Sequence, residues 1–442
     1  MRLHWWMAFA VVAAACANAA SPTFNKDIAP ILYKNCASCH RPGEVAPFSL
    51  LTYSDAKRYA PTIADATSKH IMPPWKASPG FGEFADVRAL SAEQIATISA
   101  WAKNGAPEGD TKDLPAAPKF TDGWALGPPD MIVEMPDTYQ VPADGYDIYK
   151  CFVIRTDFPE DTPIASVEVR PGNRRVLHHT VIYTDPAHAA RARAGDSGSY
   201  TCYGGPGITA IQTDLMAGWA PGMNVKRMPD GVAFVAPKGS DLIVQNHYHP
   251  SGRPESDKTT IGIYFQKTPV VKRIFGIPMV QPNLRIPAGE SHQRVTATFT
   301  TPIELELSGI APHMHLLGRE MKITATLPDG DVKPLIWIKD WDFNWQLGYE
   351  FKESLALPAQ TRFDLEAFYD NSAANPKNPS NPPKAVAWGE ATTDEMCAAM
   401  LICVSPRASD RLTSWMSLAQ QLLAGPAGRR FRSGAPDKNP NH

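Results

Sequence analysis

The sequence predicts a multidomain protein in which a small all-α domain is followed by two mainly-β antiparallel sandwich domains. The chain has 442 residues, too many for one hydrophobic core, and roughly 150 residues per domain suggests about three units. Its 42 prolines and 30 glycines favour turns between short strands, because proline stops helices. A formal net charge of -2 leaves no general attraction for a polyanion, so we expect no nucleic-acid partner.

The first residues have the pattern of an export signal. A basic residue is followed by the apolar run 5–15 and by small residues at Ala17 and Ala19, so we expect residues 1–19 to be a cleaved signal peptide and the protein to be periplasmic or secreted. Lipid attachment at Cys16 is the less favoured alternative. The apolar run is shorter than the ~20 residues that a bilayer requires, and no later stretch reaches that length. We therefore expect no transmembrane helix in the mature chain.

Residues 22–110 have a helical pattern. Ser91 and Gln94 form a capping-box pair that predicts a helix over 92–104. Another amphipathic helix is predicted around 25–35 and runs directly into a pair of cysteines. Two such helices can pack together as a small domain.

The rest of the chain has the pattern of short strands. We predict that residues 111–124 form a linker, because they lie in a longer stretch whose apolar residues follow no sustained period. A break near 268–271 divides the β region into domains 125–268 and 269–405, and 406–442 contains a helix over 410–423 and a basic tail. Predicted strands include 165–169, 176–183, 242–249, 259–265, 304–310 and 321–327.

A C-x-x-C-H motif stands at Cys36-Ala37-Ser38-Cys39-His40. It is typical of covalent haem c, in which two thioethers anchor the porphyrin and the histidine binds the iron. A disulfide or redox Cys-x-x-Cys is the weaker alternative, since the export signal directs the motif to where such haem is attached. The motif therefore predicts that 22–110 is a cytochrome c domain.

Met72 and His70 are the candidates for the second axial ligand of the haem iron. Met72 precedes two prolines that stiffen its loop, and a thioether raises the iron potential. The region also resembles small bacterial cytochromes c, whose distal methionine precedes a proline before the last helix. We therefore favour Met72, with His70 as the competitor.

Three tight groups of histidines lie in the β region: His178-His179, His247 and His313-Met314-His315. Residues i and i+2 of a strand project from one face, so His313 and His315 can share one metal, whereas the adjacent pair can do so only if its strand is distorted. Imidazole suits copper, zinc and iron, and a thioether partner points to Cu(I). Met396 is the candidate thioether.

The segments around these histidines resemble the copper type II, ascorbate-dependent monooxygenases, the family of peptidylglycine alpha-hydroxylating monooxygenase and dopamine beta-hydroxylase. The resemblance covers roughly 125–405. It rests on five segments in the family's order: His-His-Thr at 178–180, Gln-Asn-His-Tyr at 245–248, His-Met-His-Leu-Leu-Gly at 313–318, Asp-Phe-Asn-Trp-Gln at 342–346 and Asp-Glu-Met-Cys at 394–397.

This resemblance implies two tandem jelly-roll-like β-sandwiches and two copper ions. The ligands that it implies are His178, His179 and His247 for an electron-transfer copper, and His313, His315 and Met396 for an oxygen-activating copper. His249 would be a neighbour of the first copper without binding it. The partners would be a small-molecule substrate, O2 and a periplasmic electron donor that supplies electrons through the fused cytochrome c domain.

Three positions depart from the peptide hydroxylases. Where those enzymes place an arginine, an asparagine and a tyrosine that grip a substrate carboxylate, this chain has Ala311, Ala398 and Met400. We therefore expect a more apolar substrate than a glycine-extended peptide. The rival function is a non-catalytic electron carrier or copper-binding protein, which has no need of a vacant metal position for O2.

Four cysteines remain outside the signal peptide and the haem motif, and an oxidising compartment favours disulfides among them. We expect a bridge between Cys151 and Cys202. Cys397 and Cys403 are six residues apart on a predicted strand, about 20 Å at ~3.3 Å per residue and beyond the ~7 Å limit for a disulfide. We expect them not to pair with each other.

Overall fold

The computed structural model describes residues 21–121, 123–203, 205–208, 213–223, 225–389 and 391–424. The predicted signal peptide and most of the basic tail lie outside these ranges. The chain is mainly β, with 35% strand and 17% helix, and its sheets are sandwich-like, as predicted. Among the described helices, none is long and apolar enough to cross a bilayer.

The helices of the described residues are α1 (Ala29–Asn35), α2 (Tyr53–Arg58), α3 (Ala60–Ser68), α4 (Ala92–Lys103), α5 (Ala189–Ala194) and α6 (Ser409–Ala424). A π-helical turn at Phe24–Ile28 leads into α1, and 3-10 turns lie at Thr111–Asp113 and Gly195–Ser197. The helices α4 and α6 match those predicted over 92–104 and 410–423.

Among the described residues, one compact unit comprises 21–42, Phe48–Pro73 and Leu90–Pro118. The predicted capping box begins α4: the Ser91 Oγ accepts the Gln94 N–H at 3.1 Å, and the Gln94 Oε1 accepts the Ser91 N–H at 2.9 Å. The core of the unit is apolar and draws on the π-helical turn, α1 and α4. Its largest buried side chains are Phe24, Ile28, Leu32, Ile98 and Trp101.

The strands are β1 (Met131–Glu134), β2 (Tyr139–Val141), β3 (Ile148–Arg155), β4 (Thr162–Arg170), β5 (Leu177–Asp185), β6 (Ser199–Thr201), β7 (Asp214–Trp219), β8 (Val232–Ala236), β9 (Asp241–Tyr248), β10 (Glu255–Asp257), β11 (Thr260–Phe265), β12 (Lys272–Val280), β13 (Arg285–Ile286), β14 (Gln293–Thr300), β15 (Leu305–His313), β16 (Gly318–Thr326), β17 (Val332–Ile338), β18 (Tyr349–Leu357), β19 (Arg362–Tyr369), β20 (Val386–Ala387) and β21 (Ala398–Ser405). The six strands predicted above correspond to β4, β5, β9, β11, β15 and β16.

An eight-stranded sheet in the order β1-β11-β4-β8-β12-β21-β15-β18 extends through both halves of the β region. A five-stranded sheet, β6-β3-β9-β5-β7, shares a hydrophobic cluster with one end of it, and a four-stranded sheet, β14-β19-β16-β17, shares another with the other end. The strands β8 and β12, on either side of the break at 268–271, pair in parallel. The two halves therefore have separate cores but one common sheet.

Residues 74–89 pack with the β region, although the helical pattern groups them with 22–110. The Ser78 N–H donates to the Trp337 carbonyl at 2.8 Å, and the Lys352 N–H donates to the Glu83 carbonyl at 2.8 Å. Proline at 73 and 74 ends the helical run. The backbone groups of this segment then form hydrogen bonds with β17 and β18. A helical pattern in the sequence gives no sign of these long-range bonds.

The predicted disulfide between Cys151 and Cys202 is present, with a Cα–Cα distance of 5.9 Å. Both residues belong to a buried cluster between β3, β6 and α5. Cys397 and Cys403 are buried and free, as expected from their separation along one strand. The bridge closes a loop of 51 residues and ties the end of β6 to β3.

Replacing both Cys151 and Cys202 by alanine should lower the free energy of unfolding by roughly 2–5 kcal/mol, because the bridge restricts the unfolded chain. Urea unfolding measures the loss. Cys403→Ala, which removes one buried sulfur without opening a loop, is the control and should cost less. Equal losses in the two proteins would contradict a stabilising role for the bridge.

Candidate metal centres

The histidines of the first group meet where β5 pairs with β9. His179 lies opposite His247 in this antiparallel register, and the register shifts between Leu177 and His179. A bulge of this kind bends the strand and re-aims side chains. It is the distortion that the adjacent residues His178 and His179 require to face one point.

The Nδ1 atoms of His178, His179 and His247 form a triangle in which each pair is 3.2 Å apart. A point at the centre of this triangle lies about 1.8 Å from each nitrogen, close to the roughly 2.0–2.1 Å of a zinc–imidazole bond. The arrangement therefore suits one metal ion with three imidazole ligands.

Asp147 sets the tautomer of His247. One carboxylate oxygen lies 2.9 Å from the His247 Nε2 and the other 2.7 Å from the Nδ1 of the exposed His249. Burial alone would raise the pKa of Asp147, but hydrogen bonds from the two histidines outweigh it and lower the pKa to about 2. An ionised carboxylate only accepts, so the His247 Nε2 carries the proton and its Nδ1 presents a lone pair.

Tyr149 is a further neighbour of the first group. Its ring stacks on that of His247 with centroids 4.2 Å apart and planes 8° from parallel. Its hydroxyl is hydrogen-bonded to Thr392, in the loop that precedes Met396. The first histidine group is thus connected to the segment that carries the candidate thioether.

The histidines of the second group lie at the end of β15. The Nε2 atoms of His313 and His315 are 3.2 Å apart, and their ring planes are 87° from parallel. Both Nδ1 atoms face acceptors: the Gln346 Oε1 at 2.6 Å from His313, and the Asp394 carbonyl at 3.1 Å from His315. These acceptors keep the proton of each ring on Nδ1. Each Nε2 therefore carries a free lone pair, and the two Nε2 atoms lie side by side.

Met396 lies immediately before β21, the strand that pairs with β15. His313 pairs with Ala398, the last pair of this register, and the N–H groups of His315 and Met396 both donate to the Glu395 Oε2. The Tyr369 Oη donates to the Met396 carbonyl at 2.8 Å. The sheet therefore brings the predicted thioether next to the histidine pair.

The three positions that depart from the peptide hydroxylases lie together on these strands. Ala311 pairs with Met400, and His313 pairs with Ala398. Residues two apart on a strand, and residues paired across it, share one face of a sheet. The face that carries His313 is therefore bordered by apolar side chains at these positions.

Burial keeps four of these imidazoles neutral. It lowers the pKa of His178 to about 4, of His313 to about 3 and of His315 to about 4, and it holds that of His179 well below its ordinary value. A charge on His313 would further lower the pKa of His179, and a charge on His247 that of His315. Neutral imidazole is the form that binds metal, so both groups are ready to bind near pH 7.

The C-x-x-C-H motif forms a helical turn after α1. The Cys39 and His40 N–H groups both donate to the Cys36 carbonyl, at 3.1 and 2.9 Å. The His40 Nδ1 lies 3.2 Å from the Phe48 carbonyl, which leaves Nε2 for a metal. Cys36 and Cys39 form no disulfide, so both thiols suit thioether attachment of a haem.

The loop after α3 carries both candidates for the second axial ligand. The Ile71 and Met72 N–H groups donate to the Ala66 carbonyl, at 2.9 and 3.2 Å. His70 is exposed and has a left-handed backbone with φ 54°, whereas Met72 is half-buried. Met72 as the second axial ligand stays a prediction.

Sequence reasoning overlooked the residues that orient the ligands. Gln346 and Glu395 stand within quoted segments, but their roles depend on contacts with distant strands. Asp147 stands outside every segment, and only its place beside β9 reveals it. A cluster of histidines in the sequence therefore reveals candidate ligands more readily than it reveals the groups that orient them.

Comparisons with known proteins give no family for the chain. No family model matches the sequence, and no curated protein matches it. Similar solved structures include the VP2 subviral particle of infectious bursal disease virus, at 10% identity over 65% of this chain and 75% of that chain with a TM-score of 0.19. Another is a two-domain protein of unknown function from Bacteroides fragilis, at 6% identity over 58% and 94% with a TM-score of 0.16. At these TM-scores the likenesses carry no argument about fold or function.

The depressed histidine pKa values predict a pH-dependent stability of the copper-free protein. The unfolded histidines bind protons below about pH 6.5, and the folded ones only near pH 3–4, so the free energy of unfolding falls as the pH falls through this window. His313 and His315 together should account for about 2–4 kcal/mol between pH 7 and pH 5. Urea unfolding at the two pH values measures this.

The control for this measurement is the double variant with His313→Ala and His315→Ala. Its stability should fall less than that of the wild type between pH 7 and pH 5, because two of the protons taken up on unfolding are gone. An identical decrease in both proteins would show that these imidazoles are not held neutral by the fold.

Proposed function

We propose that the protein is an exported, copper-dependent monooxygenase that carries a covalent haem c in an N-terminal cytochrome c domain. The observation that carries the proposal is the difference between the two histidine groups. Three Nδ1 atoms converge at His178, His179 and His247, whereas two Nε2 atoms meet at His313 and His315 beside Met396. One group suits a copper that only exchanges electrons, and the other suits a copper with an open position.

The reaction would convert a substrate C–H, O2, two electrons and two protons into an alcohol and water. Copper supplies the one-electron redox chemistry and the activation of O2. The chain's part is to present neutral imidazoles whose protons are held elsewhere: by Asp147 at His247, by Gln346 at His313 and by the Asp394 carbonyl at His315. Fixed tautomers keep the lone pairs directed at the metal during turnover.

The second centre gains its selectivity from Met396. Imidazole ligands alone accept several metals, and a neutral thioether favours Cu(I), the form that reacts with O2. The apolar side chains at Ala311, Ala398 and Met400 border the same face as His313. They favour a substrate with an apolar region near the reacting carbon, and they offer no charge for a carboxylate.

The electrons would enter through the haem unit. A haem c held by Cys36 and Cys39, with His40 as one axial ligand, would supply a one-electron carrier within the chain. A periplasmic donor would reduce it, in place of ascorbate or beside it. The rival, a carrier that moves electrons without inserting oxygen, would use the same groups but consume no O2.

Replacing Cys36 and Cys39 by alanine should abolish covalent haem and leave copper binding intact, because the two compact units have separate hydrophobic cores. Haem staining and copper analysis of the same preparation measure the two outcomes. If copper disappears together with haem, the units are not independent and the proposed division of labour is wrong.

Met396→His should keep two coppers per chain and lose most hydroxylation, because a third imidazole in place of the thioether favours Cu(II) and holds the site more rigidly. His178→Ala is the matched variant: it should lose one copper and leave the centre at His313 and His315 occupied. The measurements are copper content, substrate-dependent O2 consumption and a product mass shift of one oxygen.

Wild-type activity in Met396→His with both coppers present would mean that the methionine is only core packing. A copper-loaded wild type that consumes no O2 with any candidate substrate, while haem and copper exchange electrons, would favour the carrier.

A further inference from the structure

Glu395 is a fully buried glutamate in the segment that carries Met396, and its carboxyl group faces the segment that carries His315. Its Oε2 accepts the N–H of His315 at 2.9 Å and that of Met396 at 3.2 Å. Its Oε1 accepts the N–H of Leu317 at 2.6 Å. One side chain is therefore hydrogen-bonded to both ligand segments.

The cost of burying this group argues for a specific use. An ionisable carboxyl group loses several kcal/mol of hydration when buried, unless hydrogen bonds or a cation compensate. Among the described residues, Glu395 forms no ion pair with a lysine or arginine, and its recorded partners are backbone N–H groups. The compensation therefore comes from the segments that it joins.

Strand pairing brings these segments close to each other but stops before the two proposed ligands. Backbone pairing between β15 and β21 ends at His313 and Ala398, so His315 and Met396 lie beyond the last paired residues. Each segment has a separate anchor: the Trp341 Nε1 donates to the His315 carbonyl at 3.1 Å, and the Tyr369 Oη donates to the Met396 carbonyl at 2.8 Å. Glu395 joins the two.

We propose that Glu395 is a positioning residue that sets the separation of His315 and Met396 before a metal ion binds. This inference rests on the proposed second copper centre. A site whose ligands are already at the right distance loses less conformational freedom on binding, so its metal affinity is higher. The carboxyl group acts through the backbone of both ligands and does not itself bind the metal.

Glu395→Gln tests this with little change of shape. Glutamine replaces one acceptor oxygen by an NH2 group, which then faces N–H donors and cannot accept from them. The segments keep their separate anchors, Trp341 and Tyr369, but lose part of their connection. We expect a 10–100-fold loss of Cu(I) affinity at the second centre, the range found when groups that orient metal ligands are removed.

Glu168→Gln is the matched control. Glu168 is a buried glutamate on β4 that accepts the Ala125 N–H at 2.8 Å and the Tyr264 hydroxyl at 3.0 Å, and it also forms an ion pair with Arg170 at 3.3 Å. It belongs to neither ligand segment. The variant therefore reproduces the substitution of a buried, hydrogen-bonded glutamate without touching the second centre.

The experiment uses the full haem-loaded chain and Cu(I) as the probe. Copper content, Cu(I) affinity by competition with a chelator, the copper–sulfur signal in X-ray absorption and the melting temperature are measured for each protein. We expect Glu395→Gln to keep the first copper and to lose copper–sulfur scattering at the second. Glu168→Gln should match the wild type at both centres.

Glu395→Asp keeps the carboxyl group but shortens its reach by one methylene. This variant replaces Glu395→Gln in the experiment if Glu395→Gln does not fold. We expect it to lose an intermediate amount of Cu(I) affinity at the second centre. Wild-type affinity and sulfur scattering in Glu395→Gln would overturn the positioning role and leave the centre standing. If Glu395→Gln lost Cu(I) affinity equally at both centres, Glu395 would support folding in general and would have no specific role at the second centre. A wild type that binds one copper without a sulfur signal would overturn the proposed function and this inference together.

Discussion

Antiparallel strand pairing is the constraint on which both candidate centres depend. The register of β5 with β9 places His179 against His247, and the pairing of β15 with β21 ends at His313 and Ala398, close to His315 and Met396. Because side chains alternate between the faces of a sheet, a slip of one residue would turn the ligands of one strand away from those of the other. The bulge after Leu177 is the single irregularity that the adjacent histidine pair needs, and the long ladder around it limits the distortion.

The second requirement is that the ligand histidines stay uncharged while they are buried. Burial disfavours the protonated ring, and acceptors on the far side of the ring decide which nitrogen keeps its proton. The two groups use opposite ring nitrogens. The His247 Nε2 faces Asp147 and its Nδ1 faces the other histidines of its group, whereas the His313 Nδ1 faces Gln346 and its Nε2 faces His315. The same residue type thus presents different atoms to the two centres.

The common eight-stranded sheet joins two halves of the β region that have separate cores. The parallel pairing of β8 with β12 continues the sheet through the break at 268–271, and the Tyr149 hydroxyl bonds to Thr392 from the other half. A hinge between independent sandwiches would allow the separation of the two histidine groups to change. A continuous ladder restricts that movement, because each strand is bonded to its neighbours.

The sequence by itself determined the mainly-β character, the capped helix α4, most strand positions and the candidate ligands, because these depend on local periodicity and on motifs with short spacing. The bridge between Cys151 and Cys202 was also expected from the sequence, but only the structure established that pairing. Only the tertiary structure decided that residues 74–89 join the β region, that one sheet continues through both halves, and that Asp147 and Glu395 hold the ligands. These features depend on hydrogen bonds between residues up to hundreds of positions apart, and a buried carboxylate shows its partners only when the strands around it are in place.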